Sequence, residues 1–310
     1  MKIAIILFNL GGPDSLDAVQ PFLRNLFGDP AILRLPSLIR RPLASLLARR
    51  RTAKARDIYA KIGGSSPILG QTEAQARALE EALGSEHEWR AYVCMRYWHP
   101  MTEAVVRSVK RFVPDRIVLL PLYPQFSTTT TASSFKAWND TATFKVPTTV
   151  VKDYPTQPGF IAASVELVKQ GLAEAGAGPK RVLFSAHGLP ERIVKAGDPY
   201  QAQIEQTADA IAQRLEGVDW SVCYQSRVGP LKWIGPSTEA EIQRAGADKV
   251  GVVLYPVSFV SEHSETLVEL DIDYRRLAEI DGVPIYVRVP TVGTHPLFIA
   301  GLARLVRDAL

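Results

Sequence analysis

The chain has 310 residues, 46% hydrophobic and 22% charged, enough for one large domain or two of about 150 residues. With 21 Gly, 22 Pro and no apolar run near ~18 residues, collagen-like, low-complexity and membrane-spanning readings are excluded. Two cysteines exclude a disulfide scaffold and a four-thiolate metal site and suit a reducing compartment. The opening MKIAIILFNLGGP is too short for a secretory signal and runs straight into a turn, so a cytoplasmic protein is expected.

Net charge is +4, and its excess is local. Residues 30–56 hold Arg34, Arg40, Arg41, Arg49, Arg50, Arg51, Lys54 and Arg56 with no acid, so setting those eight aside leaves the rest at −4. A nucleic-acid binder would spread its basic groups more widely, and no nucleic-acid partner is expected. Leucines and isoleucines interleave with these arginines. The segment therefore reads either as a lip resting peripherally on anionic lipid, at the inner face of a membrane, or as a solvated helix face.

In chain order, short β-branched apolar runs alternate with longer amphipathic stretches. The runs are 3–8, 90–95, 116–122 and 148–153, then 181–186, 220–225, 249–256 and 283–289; helices are expected over 72–83, 160–176, 200–217 and 296–310. Several runs are apolar without alternation, as strands of a parallel sheet covered on both faces are. The two sets share an order of landmarks: LFNLGGP against LFSAHGLP, a V-C strand before a Pro-containing turn and a T-E helix start, LYPQFST against LYPVSFV, and VPTTV against VPIYV. The expected fold is α/β: two similar doubly wound lobes, 1–153 and 154–295, each with a parallel four-stranded sheet flanked by helices, with a cleft between them. The helix 296–310 is expected to pack back on the first lobe.

Open α/β sheets bind ligands beyond the carboxyl ends of their strands, which directs attention to the residues just after each run. Asn9-Leu10-Gly11-Gly12-Pro13 comes after the first; its spacing is neither dinucleotide nor P-loop, and it fits a tight turn or a close backbone approach to ligand. His187, before Gly188-Leu189-Pro190, sits at a strand tip, where a functional imidazole outweighs a structural one. After the run 249–256, Glu262, Glu265, Glu269 and Asp273 share one face of an expected α-helix, with His263 beside them. The row is either a solvated acidic face or a carboxylate ladder that passes protons or hard cations. Arg96, Tyr97 and Trp98 come after one strand, Ser226 to Trp233 after another, and Tyr123 and Phe126 after a third; aromatic walls with a few cations suit a large planar ligand carrying carboxylates. Cys94 and Cys223, at matched mid-strand positions, read as buried small apolar residues.

The long motifs LFNLGGPDSLDAVQPFLRNLF, IYAKIGGSSPI, MRYWHPMTEAV, LYPQFSTTTTASS, LFSAHGLPERIVKAGDPY, YQSRVGPLKWIGPSTE and FVSEHSETLVELDIDY together resemble ferrochelatase, over essentially the whole chain. The resemblance implies two Rossmann-like, chelatase-like lobes and insertion of Fe²⁺ into protoporphyrin IX to form protohaem. It implies that His187 and Glu265 are the catalytic, metal-handling pair, facing each other across the porphyrin. It also implies that Glu262, His263, Glu269 and Asp273 form a proton or metal path, and that Leu10, Lys61, Arg96, Tyr97, Tyr123 and Trp233 contact the substrate. Thr128 stands where some members have a cluster cysteine, so no iron–sulfur cluster is expected. Fe²⁺ is expected as substrate, with no permanently bound cofactor, and the expected state is a monomer. Coproporphyrin insertion, Co²⁺ or Ni²⁺ chelation and a non-catalytic porphyrin carrier remain as alternatives.

Overall fold

Ile3 to Phe8, in β1 (Lys2–Asn9), are all buried. An unbroken apolar run is what a parallel strand needs when helices cover both its faces. The computed structural model describes residues 1–310 except Val228 and Pro230; these two, from the loop singled out before Trp233, lie outside the described residues.

The chain divides into two compact units, Met1–Asp153 with Leu302–Leu310, and Tyr154–Gly301. In the first, β1 is followed by α1 (Val19–Gly28), α2 (Ser37–Ala60), α3 (Ile68–Leu83), β2 (Glu88–Met95), α4 (Thr102–Phe112), β3 (Arg116–Pro121), α5 (Thr131–Thr141) and β4 (Thr148–Val150). Its sheet runs β2-β1-β3-β4, all parallel. One face packs Ile6, Phe8 and Leu119 against Val105, Val109 and Phe112 of α4 and Trp138 of α5.

The second unit contains α6 (Pro158–Glu174), β5 (Lys180–His187), α7 (Glu191–Lys195), α8 (Tyr200–Ala212), β6 (Asp219–Gln225), α9 (Thr238–Asp248), β7 (Gly251–Pro256), a π-helix (Glu265–Asp273), α10 (Tyr274–Ile280), β8 (Tyr286–Arg288) and the start of α11 (Pro296–Asp308). Its sheet, β6-β5-β7-β8, repeats the parallel order of the first. Gln157 caps α6 by accepting from the Phe160 N–H at 2.8 Å. Gly159 lets α6 meet α11: a Cβ there would lie 2.3 Å from the Leu297 carbonyl oxygen. The far end of α11 is tied within the first unit, where Arg307 Nη2 donates to the Ala82 carbonyl at 2.9 Å.

The repeat extends to side-chain detail. Cys94 Sγ lies 3.7 Å from Thr102 Oγ1 at the start of α4, and Thr238 Oγ1, at the start of α9, donates to Cys223 Sγ at 3.3 Å. Both thiols are buried, and burial pushes each up to about 12. Register fixes the equivalence: Phe8 pairs with Cys94 and Pro121, Ser185 with Cys223 and Pro256. Two residues further on, the first unit has Leu10 where the second has His187.

Both fourth strands are shorter than the apolar runs, because pairing with β3 and β7 covers three residues each. The larger departure is the acidic segment. It begins at Glu265 rather than Glu262 and winds as a π-helix, with the Tyr274 N–H bonded to the Glu269 carbonyl five residues back. Glu262 therefore precedes the helix, and the face expected to carry four acids is left to Glu265, Glu269 and Asp273.

Candidate active site

His187 is the last residue of β5, and Gly188 lets the chain turn immediately after it. The Gly188 N–H donates to the Gln225 carbonyl at 2.9 Å, and a Cβ on Gly188 would lie 3.0 Å from that oxygen and 3.3 Å from the Trp233 ring. The Ile234 N–H donates to the Leu189 carbonyl, and Pro190 bridges Trp233, so Trp233 is held beside the histidine's loop.

His187 Nδ1 is 2.9 Å from Glu265 Oε2, with the two side chains 39% and 33% exposed. An ionised carboxylate only accepts, so Nδ1 carries the proton and the Nε2 lone pair is left for chemistry. Burial alone lowers the imidazole's proton affinity, but the Glu265 charge and hydrogen bond outweigh it and hold His187 above the ordinary imidazole value. Burial likewise works to raise the Glu265 carboxyl; His187 first, then His263, pull it well below the usual carboxylate range. His263 is buried: Nδ1 is 3.2 Å from the Ser261 carbonyl, and Nε2 stands 3.7 Å from Glu265 Oε2, beyond hydrogen-bond length.

The contact between His187 and Glu265 corrects one expectation. At 2.9 Å no ring fits between them, so they do not face each other across a flat substrate.

Of the remaining acids, Glu269 stays with the pair. The Ser226 N–H donates to its Oε1 at 2.8 Å, and Ser226 Oγ to its Oε2. Desolvation and the Glu265 charge raise its pKa. Tyr274 OH lies 3.1 Å from Glu269 Oε1 and 3.0 Å from Glu239 Oε1. One hydroxyl proton thus stands between two carboxylates, and burial with those two charges pushes the phenol far up. Glu262, by contrast, lies outside the π-helix: its Oε1 accepts from Arg288 Nη1 at 2.6 Å and from the Thr291 N–H at 2.9 Å. Glu262 thus stands apart from the other acids, and Asp273 lies exposed at the far end of the π-helix. Among the described residues no group of three or more His, Cys, Asp or Glu is arranged to hold a metal ion.

The first unit holds the other expected contacts. Arg96 stands just after β2, its guanidinium on Asp29 at 2.8 Å. Tyr97 is 1% exposed and its hydroxyl donates to Asp29 at 2.9 Å, so it supports Arg96 and presents no free hydroxyl. Tyr123 belongs to the core with Phe8 and Trp138, a correction to its expected place on a pocket wall: the Leu122 N–H still bonds to the Phe8 carbonyl, and this extended pairing turns the ring inward. Leu10 is partly buried on the same core, and Lys61 is exposed at the end of α2. Asp29, Ser133, Tyr274, Glu239 and Arg288 were not legible as site residues; each acts through a partner at least five residues away, and no spacing rule marks them.

A family profile described as Ferrochelatase matches residues 2–310. A protein named Ferrochelatase from Caulobacter vibrioides is 55% identical over 314 residues, covering 100% of this chain and 90% of the relative. One from Phenylobacterium zucineum is 52% identical over 317 residues, covering 100% and 92%, and one from Wolbachia pipientis wMel 51% over 313 residues, covering 98% of each. Among solved structures, SirB from Bacillus subtilis with Fe³⁺ shares the fold at a TM-score of 0.60 and 13% identity, covering 100% of this chain and 96% of that one. CbiX, described as the terminal enzyme for biosynthesis of siroheme in denitrifying bacteria, does so at 0.54 and 16%, covering 100% of both.

Proposed function

Because the chain belongs to the ferrochelatase family and inserts a metal ion into a tetrapyrrole, we propose that its substrates are Fe²⁺ and protoporphyrin IX and its product protohaem, the terminal step of haem formation. A free-base porphyrin carries two N–H protons where the metal must go. Insertion forms the metal–nitrogen bonds and releases both protons, so the site must supply a base and a weak donor set that hands over the metal.

The observation that carries this reading is the His187–Glu265 hydrogen bond. With Nδ1–H directed at the carboxylate, Nε2 is oriented to take a pyrrole proton or to hold Fe²⁺ in passing; Glu265 stabilises the imidazolium that results. A released proton moves to Glu269, whose carboxyl accepts protons more readily than an ordinary one, and on through Tyr274 toward Glu239. His263 supports Glu265. Arg96 meets a carboxylate side chain of the macrocycle, and Leu10, Trp233 and Lys61 meet its faces and rim. Iron enters as substrate, and no resident cofactor or iron–sulfur cluster takes part.

The enzyme is proposed to work in the cytoplasm, as a monomer, with α2 resting on the inner face of the membrane. Leu38, Ile39 and Leu46 of α2 are 89%, 56% and 44% exposed and fall on one stripe, beside exposed Arg41, Arg49 and Arg50. No helix among the described residues is long and apolar enough to cross a membrane.

An anaerobic insertion assay tests the reaction. Purified protein with Fe²⁺ and protoporphyrin IX should give the protohaem spectrum, faster than with coproporphyrin and faster than with Co²⁺ or Ni²⁺. Faster turnover of coproporphyrin, or binding without turnover, overturns the assignment.

A further inference from the structure

Arg96 and Tyr97 are held by a residue outside the motifs that contain them. Asp29, the residue that ends α1, is 3% exposed. Its Oδ2 lies 2.8 Å from Arg96 Nη2, accepts from Tyr97 OH at 2.9 Å, and accepts from Ser133 Oγ in the first turn of α5. Arg96 Nε in turn donates to Ser133 Oγ at 2.7 Å, and the Ala31 N–H donates to Asp29 Oδ1 at 2.8 Å. The backbone is fixed as well: the Arg96 and Tyr97 N–H groups donate to the Asn9 and Leu10 carbonyls at 2.9 Å. Two of the three guanidinium nitrogens are thus committed, the group lies 5.1 Å from the centre of the Tyr97 ring, and Nη1 makes no hydrogen bond or ion pair among the described residues. The side chain keeps 20% of its surface exposed.

A mobile arginine loses rotamer freedom when it grips a carboxylate; one already locked by a carboxylate and a hydroxyl loses little. The Asp29 charge also offsets that of Arg96, so what remains to be offered is a directed N–H rather than a diffuse field. We propose that Asp29 is a positioning residue for the substrate, locking Arg96 with Ser133 so that Nη1 is presented to a carboxylate side chain of the tetrapyrrole. Asp29 itself, buried, touches no substrate. This rests on the proposed function, in which Arg96 faces the macrocycle.

The test compares protoporphyrin IX with its dimethyl ester, each titrated against the whole protein by porphyrin fluorescence, in the wild type, Asp29→Asn and Ser133→Ala. The wild type should prefer the diacid. Asp29→Asn should shrink that preference about tenfold, with ester affinity and the KM for Fe²⁺ unchanged, and Ser133→Ala should shrink it by a smaller factor. Equal loss for diacid and ester, or lost thermal stability with the preference intact, marks a merely structural role and overturns the proposal, as does a wild type indifferent to esterification. If Asp29→Asn does not fold, an unchanged preference in Ser133→Ala overturns it alone. Failure of the proposed reaction shows separately, as a wild type that binds porphyrin and inserts no iron.

Discussion

His187 and Glu265 stand 78 positions apart in sequence and 2.9 Å apart in space, Nδ1 to Oε2. β5 ends on the histidine and the π-helix begins on the glutamate. The carboxylate fixes the tautomer and raises the imidazole's proton affinity, while the imidazole holds the carboxylate ionised. In the proposed reaction the pair is therefore a base whose proton is held above the usual imidazole range and has to leave before the next turnover.

That coupling gives the first prediction. His187 should titrate above the ordinary value of about 6.5 when followed by NMR of its ring protons. In Glu265→Gln the raising charge is gone while burial remains, so the titration should move to lower pH. Linkage sets the sign: a raised histidine contributes stability that is full below the unfolded value and is lost as pH rises through the folded one. The depressed Glu265 contributes stability that is full above the unfolded carboxylate value and is lost as pH falls. Insertion should fall by roughly 10²–10⁴ in His187→Ala, the range for loss of a positioned base. An unmoved titration in Glu265→Gln counts against the coupling.

Glu262 and Asp273 separate stability from chemistry. Glu262 and Arg288 are 13% and 10% exposed, so Glu262→Gln leaves a nearly buried guanidinium short of its main partner. It should cost about 3 kcal/mol in denaturant unfolding, with the insertion rate of the folded fraction unchanged. Asp273→Asn, at an exposed position, should alter neither. A large loss of rate in either variant restores the four-acid ladder.

The sheets were legible because burial on both faces leaves a direct mark: Val252 to Pro256 can be read as a strand without any partner in view. His187 was legible for a related reason, since the end of such a strand is where a parallel sheet meets ligand. The π-helix was not. The acids of 262–273 fit a 3.6-residue repeat well, and only backbone bonding, Tyr274 to Glu269, shows that the turn is wider. Asp29 was hidden more completely: its partners are 68 and 104 residues away, and in sequence it lies just after one of the long motifs and just before the basic segment, with nothing to mark it. Tyr123 shows the opposite error, an aromatic at a strand end that packs inward with Trp138.

The exposed stripe on α2 should bind anionic bilayers. Vesicles with about 30% anionic lipid should float the protein at low salt and release it as salt rises, while zwitterionic vesicles should not. Leu38→Asp, at a side chain 89% exposed, should weaken flotation without lowering the unfolding midpoint. Equal binding to neutral vesicles, or no loss in Leu38→Asp, removes the lipid contact.

Tyr274 tests the way out for protons. Its hydroxyl touches both Glu269 and Glu239. Tyr274→Phe keeps the ring that packs with Leu183 and Leu270 and removes only the bridge. If protons leave along Glu269, kcat should fall about tenfold in Tyr274→Phe, the KM for porphyrin should stay, and the solvent deuterium isotope effect on kcat should grow as proton release becomes limiting. Glu239→Gln should show the same pattern more weakly, because its carboxylate is partly exposed and water can stand in for it. A Tyr274→Phe enzyme with wild-type kcat and isotope effect would mean that protons escape directly from His187 and Glu265, whose side chains are themselves more than a third and about a third exposed.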